Sequence, residues 1–204
     1  MKEDNYFVIV SFRDKAAMEK ELKMQGDRIE DIKDIKEADG KSLLEAALGS
    51  GKFEMASYIL AQGPRLNVVS KEGYNELHFL AARSREKGGA ELAEQLLEKG
   101  VSLDQADKRY GNTPLWYFCQ EYHKRGGEVL YSFLEKCFAQ APDVDRPNKA
   151  GYTLRQMIEQ GERPELLRWI ERKEPNEYGR VRGFAQYFRG AREAEMVCSR
   201  CQRE

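Results

Sequence analysis

Four glycines open phrases of the same grammar: Gly40-Lys41-Ser42-Leu43-Leu44-Glu45, Gly73-Tyr74-Asn75-Glu76-Leu77-His78, Gly111-Asn112-Thr113-Pro114-Leu115-Trp116 and Gly151-Tyr152-Thr153-Leu154-Arg155-Gln156. They recur at spacings of 33, 38 and 40 residues. A period of that length limits the fold strongly, because it marks one supersecondary unit copied in tandem. One such unit cannot bury its apolar face alone, so several must stack. A second apolar pattern at helical spacing follows each phrase: Met55, Tyr58, Ile59 and Leu60; Leu92, Leu96 and Leu97; Val129, Leu130, Phe133 and Leu134; Leu166, Leu167, Trp169 and Ile170. The first two patterns stop at Gly63 and Gly100, where a helix C-terminus wants a residue tolerant of positive φ.

The phrases also carry helix-start chemistry. Ser42 with Glu45, and Thr153 with Gln156, fit the capping box that satisfies orphan N–H groups at a helix N-terminus. Thr113 suits an N-cap, and Pro114 suits the first helical position, where its missing N–H costs nothing. Asn75 is an equally good cap. Small residues follow on each first helix (Ala46, Ala47, Ala81, Cys119) and allow neighbours to stack closely. The expectation is an all-α chain of helix pairs.

These phrases resemble the ankyrin repeat, whose period is about 33 residues with a T-P-L-H-x-A core. Thr113-Pro114-Leu115 matches three positions literally, and Leu77-His78 supplies the next pair. The resemblance covers about residues 40–172. It implies an all-α ankyrin-repeat solenoid of four to five helix pairs with a C-terminal capping helix. Residues 1–39 would form an N-terminal capping repeat, in which Phe12–Asp39 is a degenerate copy and Met18, Leu22 and Gly26 repeat the end of a second helix. Residues 40–173 would hold the repeats and 174–204 a helical tail. Proline stands in only one phrase, and Arg155 occupies a position where the family has an inward leucine, which suits a terminal repeat. In the tail, Val181, Phe184, Phe188 and Ala191 recur at helical spacing beside Tyr187. That pattern fits a helix capping the stack, or a segment that folds on a partner.

Lys plus Arg number 34 and Asp plus Glu 35, a formal charge of −1. A general nucleic-acid binder shows a marked basic excess instead. Aromatics at 10% argue against a disordered chain. The early apolar run Tyr6–Val10 is far shorter than the roughly 20 residues of a membrane span. It also lacks a signal-peptide cleavage site. The expectation is a cytoplasmic protein that binds neither membrane nor nucleic acid. Four cysteines (119, 137, 198, 201) are too few for a secreted disulfide framework and are expected to be reduced.

No phrase announces catalysis, and the chain is expected not to be an enzyme. Gly49-Ser50-Gly51-Lys52 imitates a phosphate loop, but Ala46 replaces the first glycine and Phe53 the Ser/Thr that would hold Mg²⁺. It reads as the turn between two helices. Cys198 and Cys201 form a C-x-x-C without the second pair that zinc wants. They are either incidental thiols or an intermolecular metal or redox site. His78 occupies the family's histidine position, where the resemblance implies a backbone bond between repeats. No metal or cofactor is expected.

Two insertions break the period, around Ser84–Gly89 and Tyr122–Gly127, and both end in Gly-Gly. They are expected as loops between first and second helices, the place where repeat proteins often bind. The resemblance implies that loop tips beside each opening glycine, and the ends of first helices, contact partners. The tips so placed are Lys71, Glu72, Tyr74, Arg109, Tyr110, Asn112, Lys149 and Tyr152. The helix ends and insertions add Arg83, Arg85, Lys87, Gln120, Glu121 and Tyr122. Tyr and Arg dominate interface hot spots, while Lys is usually depleted at interface cores. The partner-binding set is therefore Lys71, Tyr74, Arg83, Arg85, Arg109, Tyr110, Asn112, Gln120, Tyr122 and Tyr152. Packing within the loops is the alternative explanation of the recurring tyrosines. The expected role is a protein-interaction module, monomeric when free, whose partner has an acidic surface. The resemblance suggests an immunity protein that plugs a secreted toxin's active site. A redox- or metal-linked regulator using Cys198 and Cys201 is the alternative reading. An RNA-associated factor using Arg180 to Arg203 ranks last, because Glu177, Glu193, Glu195 and Glu204 offset that charge.

Overall fold

The computed structural model describes residues 2–161 and 163–171. Over those residues the chain is all-α, with no strand and only two isolated bridges, Lys36 to Ser42 and Pro147 to Thr153. Ten of its helices form five pairs. These are α1 (Lys2–Phe12) with α2 (Lys15–Gln25); then, after the single turn α3 (Ile29–Ile32), α4 (Leu43–Gly49) with α5 (Phe53–Ala61). Next come α6 (Glu76–Ala81) with α7 (Gly89–Glu98), α8 (Pro114–Arg125) with α9 (Glu128–Ala139), and α10 (Leu154–Gln160) with α11 (Pro164–Glu171). First helices pack on first helices, α1 on α4, α4 on α6 and α6 on α8; second helices follow suit from α2 through α5, α7 and α9 to α11. Helices α8 and α10 approach each other less closely than the other successive first helices.

The local chemistry of the phrases sets the helix starts. Ser42 and Thr153 each complete a capping box, with Glu45 and Gln156 reaching back to the cap N–H. Thr113 caps α8 with Pro114 at its start, and Asn75 caps α6. Each such cap contributes about 0.5–2 kcal/mol. Gly63 and Gly100 do adopt positive φ, at 62° and 83°.

The core runs continuously through the pairs. Leu43, Leu77 and Leu115 are each at most 1% exposed, and so are the alanines Ala47, Ala81 and Ala93. Full burial of each leucine contributes about 1.5–3 kcal/mol. Phe118 and Phe133, with ring centroids 4.6 Å apart, join α8 to α9.

Two features differ from the sequence reading. The first pair begins at Lys2: Tyr6, Phe7, Ile9 and Val10 are buried on α1, and Phe12 ends that helix in solvent. The early apolar run is a core face, one helix ahead of the proposed repeat at Phe12. The second insertion is not a loop. Tyr122–Arg125 extend α8, because Leu115, Phe118, Cys119 and Tyr122 continue one apolar stripe at i, i+3, i+4 and i+7. Only Gly126 and Gly127, both at positive φ, break the helix. The first insertion is irregular as expected, a run of turns over Ala82–Gly88. Among the described residues no helix is long and apolar enough to cross a membrane. The tail positions Val181, Phe184, Tyr187, Phe188, Ala191, Cys198 and Cys201 lie outside the described residues.

Candidate functional site

The opening glycines hold more than a turn. Gly40, Gly73, Gly111 and Gly151 all have φ between 74° and 88°, a region other L-residues enter at a cost of about 1–2 kcal/mol. At Gly73 an added Cβ would meet Lys108 N at 2.8 Å and Lys108 Cγ at 3.1 Å. At Gly111 it would meet Lys149 N at 3.1 Å and Lys149 Cγ at 3.2 Å. The bare α-carbon thus seats the backbone and stem of a lysine from the next tip.

Backbone hydrogen bonds repeat the same contact. Lys71 N donates to Asp39 O at 2.7 Å, Lys108 N to Glu72 O at 2.7 Å and Lys149 N to Tyr110 O at 2.8 Å. Each acceptor immediately precedes an opening glycine, so Lys71, Lys108 and Lys149 occupy one equivalent place on successive tips. The Lys149 ammonium also donates to the Lys108 carbonyl. All three are exposed, as is Arg109, whose guanidinium lies 4.9 Å from the centre of the Tyr110 ring. Among the described residues none of these four cations enters an ion pair, whereas Lys41 at the first tip is paired with Glu37 and Asp39.

Where α8 and α10 part, a cleft of about 520 Å³ opens. It is lined by Trp116, Gln120 and His123 from α8, by Met157 and Gln160 from α10, and by Tyr152 from the tip between. Tyr152 is 56% exposed and Tyr110 45%. The volume falls in the range that holds a side-chain cluster or small ligand. His123 packs its ring where any Gly161 side chain would stand, and its Nε2 is buried without a hydrogen-bond partner. Burial, reinforced by the Arg163 charge, lowers its pKa and keeps the ring neutral.

The expected partner-binding residues divide sharply. Lys71, Arg109 and Tyr110 are exposed on tips, and Gln120 and Tyr152 line the cleft. Arg83 is exposed but ion-paired with Glu86 at 2.8 Å, and Arg85 is exposed with its guanidinium on the Glu121 carbonyl. Tyr74 is half-buried in a ring cluster with His78, Phe79 and Tyr117, the packing explanation for a tip tyrosine. Two expectations are corrected. Asn112 is buried, its side-chain oxygen accepting from Asn148 and its carbonyl facing His78 Nε2 at 3.3 Å. Tyr122 is buried too, its hydroxyl donating to Glu165 at 2.8 Å under the Arg163 guanidinium. Both side chains hold neighbouring pairs together and are spent on that contact.

His78 is structural, bridging its own cap and the next phrase. Burial pushes its pKa down to about 4. Lys108, Met157, His123 and Trp116 are not among the residues that the sequence reading selects. Lys108 had a faint signal, standing beside Arg109 in the phrase before Gly111. Nothing local marks Met157 or His123 as neighbours.

Among the described residues no three His, Cys, Asp or Glu side chains are grouped where a metal ion would sit. Cys119 and Cys137 are free and buried, and burial pushes both thiols up, away from the reactive thiolate. No protein-family model matches the chain, and no curated protein matches it.

Proposed function

We propose that the chain is an ankyrin-repeat protein whose activity is binding another protein through its loop tips and the adjoining first-helix cleft. The ankyrin reading draws support from five helix pairs, phrases that cap each first helix, and tips linked by one repeated backbone bond. In that solenoid the tips and first helices form the concave face. The observation that carries the binding role is the union of unpaired cations on successive tips with exposed Tyr110, Tyr152 and the Trp116 cleft. Aromatic anchors beside a pocket, with Arg109 against Tyr110, are the composition of a protein-interaction hot spot, and the lysines suit its polar rim. The charge selects an acidic partner and speeds its approach. Plugging the active site of a toxin is the specific form that the ankyrin resemblance suggests.

The test uses immobilised full-length protein and a Trp116→Ala/Tyr152→Ala variant, compared for the proteins each retains. A partner held by the parent and lost by the folded variant supports the reading. Retention of every partner at full affinity by the variant moves the site away from the cleft.

A further inference from the structure

The three equivalent lysines form a ruler. The stems of Lys108 and Lys149 are seated on the previous tip at a bare α-carbon, the Lys71 backbone lies at ordinary contact distance from Gly40, and each of the three backbone N–H groups is fixed by the previous tip's carbonyl. The same backbone bond joins the tips even where α8 and α10 stand apart, so the rise from one lysine to the next follows the tips and is on the order of the 8–10 Å of packed helices. Side chains on a polyproline II segment return to the same face every third residue, at about 9.3 Å. The two repeats match. Successive nucleic-acid phosphates lie closer together than this and do not keep step with it.

We infer that Lys71, Lys108 and Lys149 dock an extended acidic segment of a partner protein, with carboxylates at every third position registering one per tip. The inference rests on the binding role proposed above and names the partner's chemistry. The row carries an excess of exposed positive charge within the described residues: Glu72 is the one exposed carboxylate on these three tips, Asp107 is buried beneath the middle tip with its oxygens on the Arg109, Tyr110 and Asn112 N–H groups and the Tyr117 hydroxyl, and none of the lysines is ion-paired. Arg109, stacked on Tyr110 at the middle tip, adds a second cation where the segment crosses towards the cleft. Exposed lysines usually carry little affinity singly, each pair being worth about two- to fivefold. Three held at a fixed spacing gain selectivity, because a segment of the wrong period engages only one at a time. Salt weakens the contact, since every pair is solvent-exposed.

The experiment uses the full chain and three labelled probes in fluorescence anisotropy at low salt. One is a proline-rich peptide with three glutamates at every third position; the second has the same composition with the glutamates contiguous; the third is a single-stranded oligonucleotide. The expected result is that the spaced peptide binds about tenfold tighter than the contiguous one. Lys71→Gln/Lys108→Gln/Lys149→Gln, which keeps the packed stems, should abolish that difference, while Lys99→Gln on the end of α7 leaves it intact. Equal affinity for both peptides, no binding of the spaced peptide, or tighter binding of the oligonucleotide each overturns the inference. If the peptides fail while Trp116→Ala/Tyr152→Ala still loses a protein partner, the ruler falls and the binding role stands. If the cleft variant loses nothing while the spaced peptide still discriminates, the reverse holds.

Discussion

Glu45 offers the sharpest test of the packing. Its carboxylate is fully buried between α4 and its neighbours, with Oε2 accepting from Ser42 N at 2.7 Å and Oε1 without a partner. Burial first, and then the charge of Glu76 on the next first helix, pushes its pKa up to about 8. An unfolded glutamate titrates near 4.3. The folded state therefore holds a proton that the unfolded state has released, and stability is lost as pH rises towards the folded pKa. His78 acts in the opposite sense: pushed down to about 4 from 6.5, it removes stability as pH falls below 6.5. The two effects overlap below pH 6.5, so the window free of His78 runs from 6.5 to about 8. At about 1.4 kcal/mol per pH unit, that window should cost the protein about 2 kcal/mol. Glu45→Gln retains a carbonyl for the Ser42 N–H and has no charge to bury. It should match or exceed the parent at pH 8 and show a shallower slope. Glu76, also raised by burial, supplies the slope that remains. Denaturant unfolding followed by circular dichroism across pH 6.5 to 8 measures both quantities. A parent whose stability is flat across that window, or a variant weaker than the parent at pH 8, would refute the buried-carboxylate argument.

Gly73→Ala and Gly151→Ala share a left-handed φ, 88° and 82°, but only Gly73 faces a neighbouring tip. Denaturation should show a loss of about 1–2 kcal/mol at Gly151 and clearly more at Gly73; equal losses would mean that the tips do not interlock. Thr113→Ala should cost about 0.5–2 kcal/mol, towards the low end because the cap bond is 3.4 Å long, whereas buried Leu115→Ala should cost about 2–5 kcal/mol. A milder Leu115→Ala would contradict the assignment of α8. Arg109→Ala/Tyr110→Ala should leave the helical spectrum and melting unchanged and weaken a recovered partner by about 2 kcal/mol in a binding titration. Unchanged affinity would remove the middle tip from the interface.

The helix starts were legible from residue types alone, because a capping box closes within four residues. Ser42 finds Glu45, and Thr153 finds Gln156, whatever the rest of the chain does. The glycine period and the second-helix stripes were legible for the same reason: each is a local backbone demand or a single-helix periodicity. Tyr6–Val10 needed more, since an apolar run of that length carries no sign of what it will face. The fates of Asn112 and Tyr122 were decided at long range, by Asn148 and His78 for the first and by Glu165 and Arg163 for the second. Both belong to residue types common on binding surfaces, and only the arrival of the next helix pair used up their polar atoms. The cleft likewise exists because α8 and α10 stand apart, a relation between elements that no single phrase records. The lysine row, too, is a relation between elements. A glycine announces positive φ by itself, but which side chain fills the space of its missing Cβ depends on the tip that stacks above it.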